Sequence, residues 1–141
     1  MELLLIMIDY DEIIPQLGYF IKRHCTPSWA IDEAVIDFVD LTYIIEGSAR
    51  YSINGKLYEV EKGDLICIPK NHRRQSVCNP NNLMASYAAN FQVCNLVGED
   101  ASLPFPLVSK IGIRSELLSW YQELNAEWLG DDSIFGCFDR D

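Results

Sequence analysis

The groups able to do chemistry in this sequence are few and scattered. A catalytic first-row metal wants imidazoles and a carboxylate converging on one point, and the chain has only two histidines, His24 and His72. Structural zinc wants cysteine pairs at C-x-x-C spacing. The five cysteines, Cys25, Cys67, Cys78, Cys94 and Cys137, contain no such pair. Odd in number, they fit small buried hydrophobes in a reducing compartment, which points to a cytoplasmic protein. No G-x-S-x-G elbow is present, so nucleophilic catalysis has no sequence support. No catalytic residue, metal ligand or cofactor is assigned. What remains is a set of polar side chains embedded in apolar runs: Thr42 and Glu46, Arg74 and Ser76, Ser86 and Asn90, with Trp29 upstream. Their chemistry is hydrogen bonding and charge recognition of a small polar molecule, with an aromatic face for stacking. A simple buried ion pair between Glu46 and Arg74 is the structural alternative.

The elements that must position these residues are strands. GYFIKRH, DLTYIIE, ARYSI, KLYEV, DLICI, RQSVC and LMASYAANFQV are short, rich in β-branched and aromatic residues, and bounded by turn residues. Gly47-Ser48, Asn54-Gly55, Lys62-Gly63 and the run from Asn79 to Asn82 are the punctuation. Asn54-Gly55 predicts a two-residue type I′ hairpin, because both residues tolerate positive φ. Closely repeated turns predict a sandwich or small barrel. Alternation puts Thr42, Ile44 and Glu46 on one strand face and Leu41, Tyr43 and Ile45 on the other. Ser86, Ala88 and Asn90 likewise share a face opposite Tyr87, Ala89 and Phe91.

Composition bounds the rest. A chain of 141 residues with 49% hydrophobic side chains is one globular domain. The net charge is 11 − 21 = −10, which argues against this chain itself gripping a phosphate backbone. Leu3 to Ile8 is apolar, but it lacks a preceding basic segment and is too short to span a membrane. It is expected to be an N-terminal strand or arm. After Val97 a proline-containing loop leads into a helical pattern, Leu117, Tyr121, Leu124 and Trp128, with Leu118 beside it. Ser115 fits an N-cap and Gly130 a terminator, so the helix is expected over Ser115 to Leu129. Its broad apolar face must pack on the barrel or on another subunit.

Together these runs carry a resemblance. Gly63-Asp64-Leu65-Ile66-Cys67-Ile68-Pro69 resembles the Gly-Asp turn and Pro-terminated strand of cupin barrels. The longer run DLTYIIEGSARYSINGKLYEVEKGDLICIP, with PSWAI before it and YAANF after it, resembles the N-terminal sensor domain of AraC-family transcriptional regulators.

The resemblance implies a mainly β fold: a cupin-like double-stranded β-helix, or jelly-roll, followed by a C-terminal amphipathic helix. Residues 1–98 would form the arm and barrel, and residues 99–141 a loop and dimerisation helix of the same domain. It implies a small-molecule effector, a sugar by the family's habit, in contact with Trp29, Thr42, Glu46, Arg74, Ser76, Ser86 and Asn90. It implies a homodimer through Leu117, Tyr121, Leu124 and Trp128, and DNA bound only through a C-terminal helix-turn-helix domain missing from this chain. The alternative is a stand-alone or catalytic cupin acting on a carbohydrate-like molecule. The segment where metal cupins carry H-x-H reads DLTYIIEG here, and Arg74 stands where a further metal histidine is usual. A guanidinium repels a cation.

Overall fold

A computed structural model of the chain describes residues 13–135, with side chains through Gly130. The apolar run Leu3 to Ile8 and Cys137 lie outside the described residues.

Nine antiparallel strands and one helix make up the described residues. They are β1 (Ile14–His24), β2 (Ala30–Val35), β3 (Val39–Glu46), β4 (Ser48–Ile53), β5 (Lys56–Glu61), β6 (Asp64–Ile68), β7 (Arg73–Cys78), β8 (Ala85–Cys94), β9 (Val108–Lys110) and α1 (Ser115–Phe135). The strands form two facing sheets, ordered β1-β8-β3-β6-β9 and β2-β7-β4-β5. Apart from the β4–β5 hairpin, neighbours in space are distant in sequence, and most successive strands cross between the sheets, which is the jelly-roll arrangement.

Turn chemistry sets the strand ends. Asn54 and Gly55 have φ of 52° and 82°, the two positive values of a type I′ turn, and Ile53 pairs with Lys56 across them. Gly47 has φ of 73°, and a Cβ there would sit 2.1 Å from the Leu83 carbonyl oxygen. The β3–β4 corner therefore requires glycine.

Two apolar clusters follow from strand alternation. One fills the space between the sheets, built from Ile44, Tyr51, Ile53, Val60, Ile66, Ile68 and Met84. The other lies on the outer face of the five-stranded sheet and is closed by α1. Here Phe20, Leu41, Tyr43, Tyr87 and Phe91 meet Leu117, Trp120 and Tyr121. Tyr121 is fully buried and stacks on Tyr43 and Tyr87 with ring centroids 5.9 and 5.6 Å apart.

Several expectations are corrected. The apolar face of α1 packs on the chain's own sheet. Leu117 and Tyr121 are buried there, so they offer no surface to a second copy. Leu124 and Trp128 are half-buried against the same cluster, and Trp128 meets Tyr19 edge-on at 6.1 Å. The helix also runs past Gly130 to Phe135, since an interior glycine costs only about 1 kcal/mol relative to alanine. The strands β2 and β9 went unrecognised in the sequence. β2 is an edge strand with four successive exposed residues, so it lacks an alternating apolar pattern. β9 is three residues long.

Candidate functional site

The space between the sheets is mostly apolar, but its β1–β2 side is polar. β1 and β2 are edge strands of opposite sheets, so the interior reaches solvent between them. Cross-strand registers stack the inward residues in rows. On the five-stranded sheet one row is Tyr19, Asn90 and Asp40, the next Ile21, Ala88 and Thr42, and the third Arg23, Ser86 and Ile44. Opposite them, Arg74 pairs in register with Ile53, and Ser76 with Tyr51.

Asp40 is the hub. Its side chain is 3% exposed and is ion-paired with Arg74, itself only 15% exposed. The Arg74 Nη1 donates to Asp40 Oδ2, and Thr42 Oγ1 donates to Oδ1 at 2.7 Å. Both carboxylate oxygens are thus satisfied, as burial of the charge demands. The Arg74 guanidinium also lies 5.3 Å from the centre of the Phe38 ring.

Around this hub lie buried hydroxyls. Those of Tyr51, Ser76 and Ser86 are sealed from solvent, and none finds a partner in good hydrogen-bonding geometry. A buried hydroxyl left so costs about 1–3 kcal/mol, so these groups are suited to receive polar atoms of another molecule. Burial pushes the Tyr51 phenol far above its ordinary range. The Asp40 charge adds to the push, while Arg23, Arg74 and the Ser76 hydroxyl pull it back. Tyr51 therefore enters any interaction as a neutral hydroxyl.

The opening at this side leaves about 30 Å³ of water-accessible space. That admits a water molecule or two and is far below the roughly 300–1,000 Å³ of a drug-sized ligand pocket. A larger molecule enters only if side chains move.

The residues singled out from sequence fall into three groups. Thr42, Arg74, Ser76 and Ser86 converge on the interior, with Asn90 at its opening. Trp29 is half-buried at the margin, and its ring carries the Arg23 guanidinium 5.1 Å from the centroid. Glu46 does not join them. A register shift between Ile44 and Glu46 breaks the alternation, and Glu46 is exposed. The carboxylate that pairs with Arg74 is Asp40 instead. Sequence reasoning overlooked Asp40, Tyr51 and Arg23. The signal for Asp40 was present, since it precedes Thr42 by two positions and shares its face.

The two buried thiols, Cys25 and Cys67, are poor nucleophiles. His24 and Cys25 adjoin in sequence, but burial raises the Cys25 pKa to about 11 and that of Cys67 to about 12. Among the described residues no three His, Cys, Asp or Glu side chains gather as a metal site requires. No helix among them is long and apolar enough to cross a membrane.

Residues 17–75 match the family model of the AraC-like ligand binding domain. Over that stretch the barrel is similar to AraC-like ligand-binding domains. The matched stretch holds Arg23, Asp40, Thr42, Tyr51 and Arg74, and so most of the polar cluster. No curated protein matches it in sequence. Similar solved structures include a predicted oxalate decarboxylase from Thermotoga maritima, 17% identical with TM-score 0.47, covering 53% of this chain and 65% of that one. A cupin protein from Bacteroides fragilis is 12% identical with TM-score 0.47, over 62% and 75% of the two chains. A variant of salicylate 1,2-dioxygenase from Pseudoaminobacter salicylatoxidans is 15% identical with TM-score 0.45, over 57% of this chain and 22% of that one. At such identities likeness says nothing of chemistry.

Proposed function

We propose that this AraC-like domain senses a small, hydroxyl-bearing polar effector of the sugar kind, bound at the Asp40–Arg74 cluster, for a DNA-binding transcriptional regulator. The observation that carries the reading is the overlap of the family match with that cluster. Tyr51, Ser76 and Ser86 supply hydroxyls that both donate and accept. The role is regulatory rather than catalytic, for the cluster holds a satisfied ion pair and neutral hydroxyls, with no activated nucleophile.

The tight interior suggests how sensing works. An effector must displace packed side chains to enter, so it binds one arrangement of the barrel better than another. That difference in affinity is what shifts a conformational equilibrium. Strand β3 links the two sides. Asp40 and Thr42 face the cluster, while Leu41 and Tyr43 face α1. In the full protein we place DNA recognition in a helix-turn-helix domain following this chain, acting as a cytoplasmic homodimer. The coding sequence beyond Asp141 tests that part directly, and a stop codon there overturns it.

Effector binding is tested by thermal shift on the purified chain with a panel of sugars, polyols and sugar acids. A compound that raises the melting temperature, and whose shift is lost in both Ser76→Ala and Ser86→Ala, is the expected result. A shift unchanged in both variants places the effector elsewhere, and no shift across the panel overturns the effector class.

A further inference from the structure

The charges at the opening do not balance. Two guanidinium groups, Arg23 and Arg74, and one carboxylate, Asp40, border it. The arithmetic is 2 − 1 = +1, on a chain whose net charge is −10. Asp40 is already committed to Arg74 and Thr42. Among the described residues Arg23 makes no ion pair, and its one close partner is the Trp29 ring, 5.1 Å from the guanidinium. The Arg23 backbone pairs in register with Ser86, whose buried hydroxyl has no partner. On the facing sheet, Arg74 and Ser76 share one strand face, and the Ser76 hydroxyl has only the Tyr51 hydroxyl near it, without good hydrogen-bonding geometry. The guanidinium groups thus border the opening, and the two serine hydroxyls lie buried behind it on the same strand faces.

We infer that the effector is a small hydroxy acid, its carboxylate held by Arg23 with help from Arg74 and its hydroxyls by Ser76 and Ser86. The inference rests on the reading of this cluster as the effector site and names the ligand's charge. A guanidinium fork matches a carboxylate in two parallel hydrogen bonds, and such charge-assisted bonds are roughly twice as strong as neutral ones. A neutral polyol would satisfy the serines and leave the positive charge uncompensated.

The test is isothermal titration calorimetry of the purified chain with matched pairs: lactate against lactamide, glycerate against glycerol, and gluconate against glucitol. At least one acid is expected to bind, with its uncharged counterpart at least tenfold weaker. Arg23→Gln is expected to weaken that acid at least tenfold while its melting temperature stays near that of the parent. A neutral compound binding as tightly as its acid, or an acid whose affinity survives Arg23→Gln, overturns the assignment of charge but leaves the barrel as effector site. Binding by none of the six overturns the hydroxy-acid assignment, and the wider panel of sugars and polyols then decides whether the effector-site reading falls as well.

Discussion

The hydroxyl of Tyr121 on α1 donates a hydrogen bond to the Leu41 carbonyl in β3, 3.0 Å away and wholly buried. Leu41 lies between Asp40 and Thr42, the two β3 residues of the polar cluster. One strand thus touches the candidate effector site on one face and the terminal helix on the other. A second tie lies two residues on. The Tyr43 hydroxyl donates to the Gly112 carbonyl at 2.7 Å and accepts from the Arg114 amide at 2.8 Å, fixing the segment that leads into α1.

Tyr121→Phe keeps the ring and removes the hydroxyl. It is expected to cost about 1–2 kcal/mol, since the buried Leu41 carbonyl loses its tie to the helix. Urea unfolding followed by circular dichroism measures it. A loss near zero would mean that the bond does not hold α1 to the barrel.

Leu117→Glu places a charge beneath the chain's own sheet. It is expected to destabilise the fold by about 3 kcal/mol or more, the range seen when a buried apolar side chain is replaced by an unpaired charge. The half-buried Leu124→Glu should cost less. The expected outcome for Leu117→Glu is therefore partial unfolding, seen as a lowered melting temperature. A stably folded monomer with unchanged melting temperature would contradict the packing described.

The Asp40–Arg74 pair predicts an asymmetric response to substitution. Asp40→Leu alone leaves a largely buried guanidinium without its carboxylate and is expected to cost about 3–5 kcal/mol. The double variant Asp40→Leu with Arg74→Met removes both charges and is expected to recover most of that loss. Denaturant midpoints of the single and double variants give the coupling. Additive losses would mean that the two charges do not depend on each other.

Stability should decline in alkali. Burial raises Cys25 to about 11 and Cys67 to about 12 from an ordinary 9.0, and lifts the Tyr51 and Tyr121 phenols as well. In each case the unfolded chain releases its proton first as pH rises, so it binds fewer protons than the folded chain. The contribution is complete below the unfolded pKa and is lost as pH climbs through the folded values. The urea midpoint is expected to stay flat up to about pH 8 and to fall above about pH 9, less steeply in Cys25→Ala with Cys67→Ala. An unchanged slope in that double variant would show that the thiols do not contribute.

Much of the barrel was legible from short-range chemistry. Asn54-Gly55 forces a tight hairpin because its dihedrals are local. Alternation in β3 and β8 separates Thr42 and Ser86 from Tyr43 and Tyr87 without reference to any partner strand. The ordered turns from Gly47 to Pro69 carried the resemblance that the family match now supports.

What lay beyond the sequence were relations between distant residues. Alternation holds only while register holds, and the shift after Ile44 turned Glu46 outward, a change set by how β3 meets β8. The partner of Arg74 had to be a carboxylate within reach, and pairing across 34 positions chose Asp40. An apolar helix face declares that it will be buried, but not against what. Tertiary packing gave that face to the chain's own sheet, through Leu117 and Tyr121. Local patterns encode which side chains avoid water, whereas the surfaces and charges they meet exist only once the chain has closed on itself.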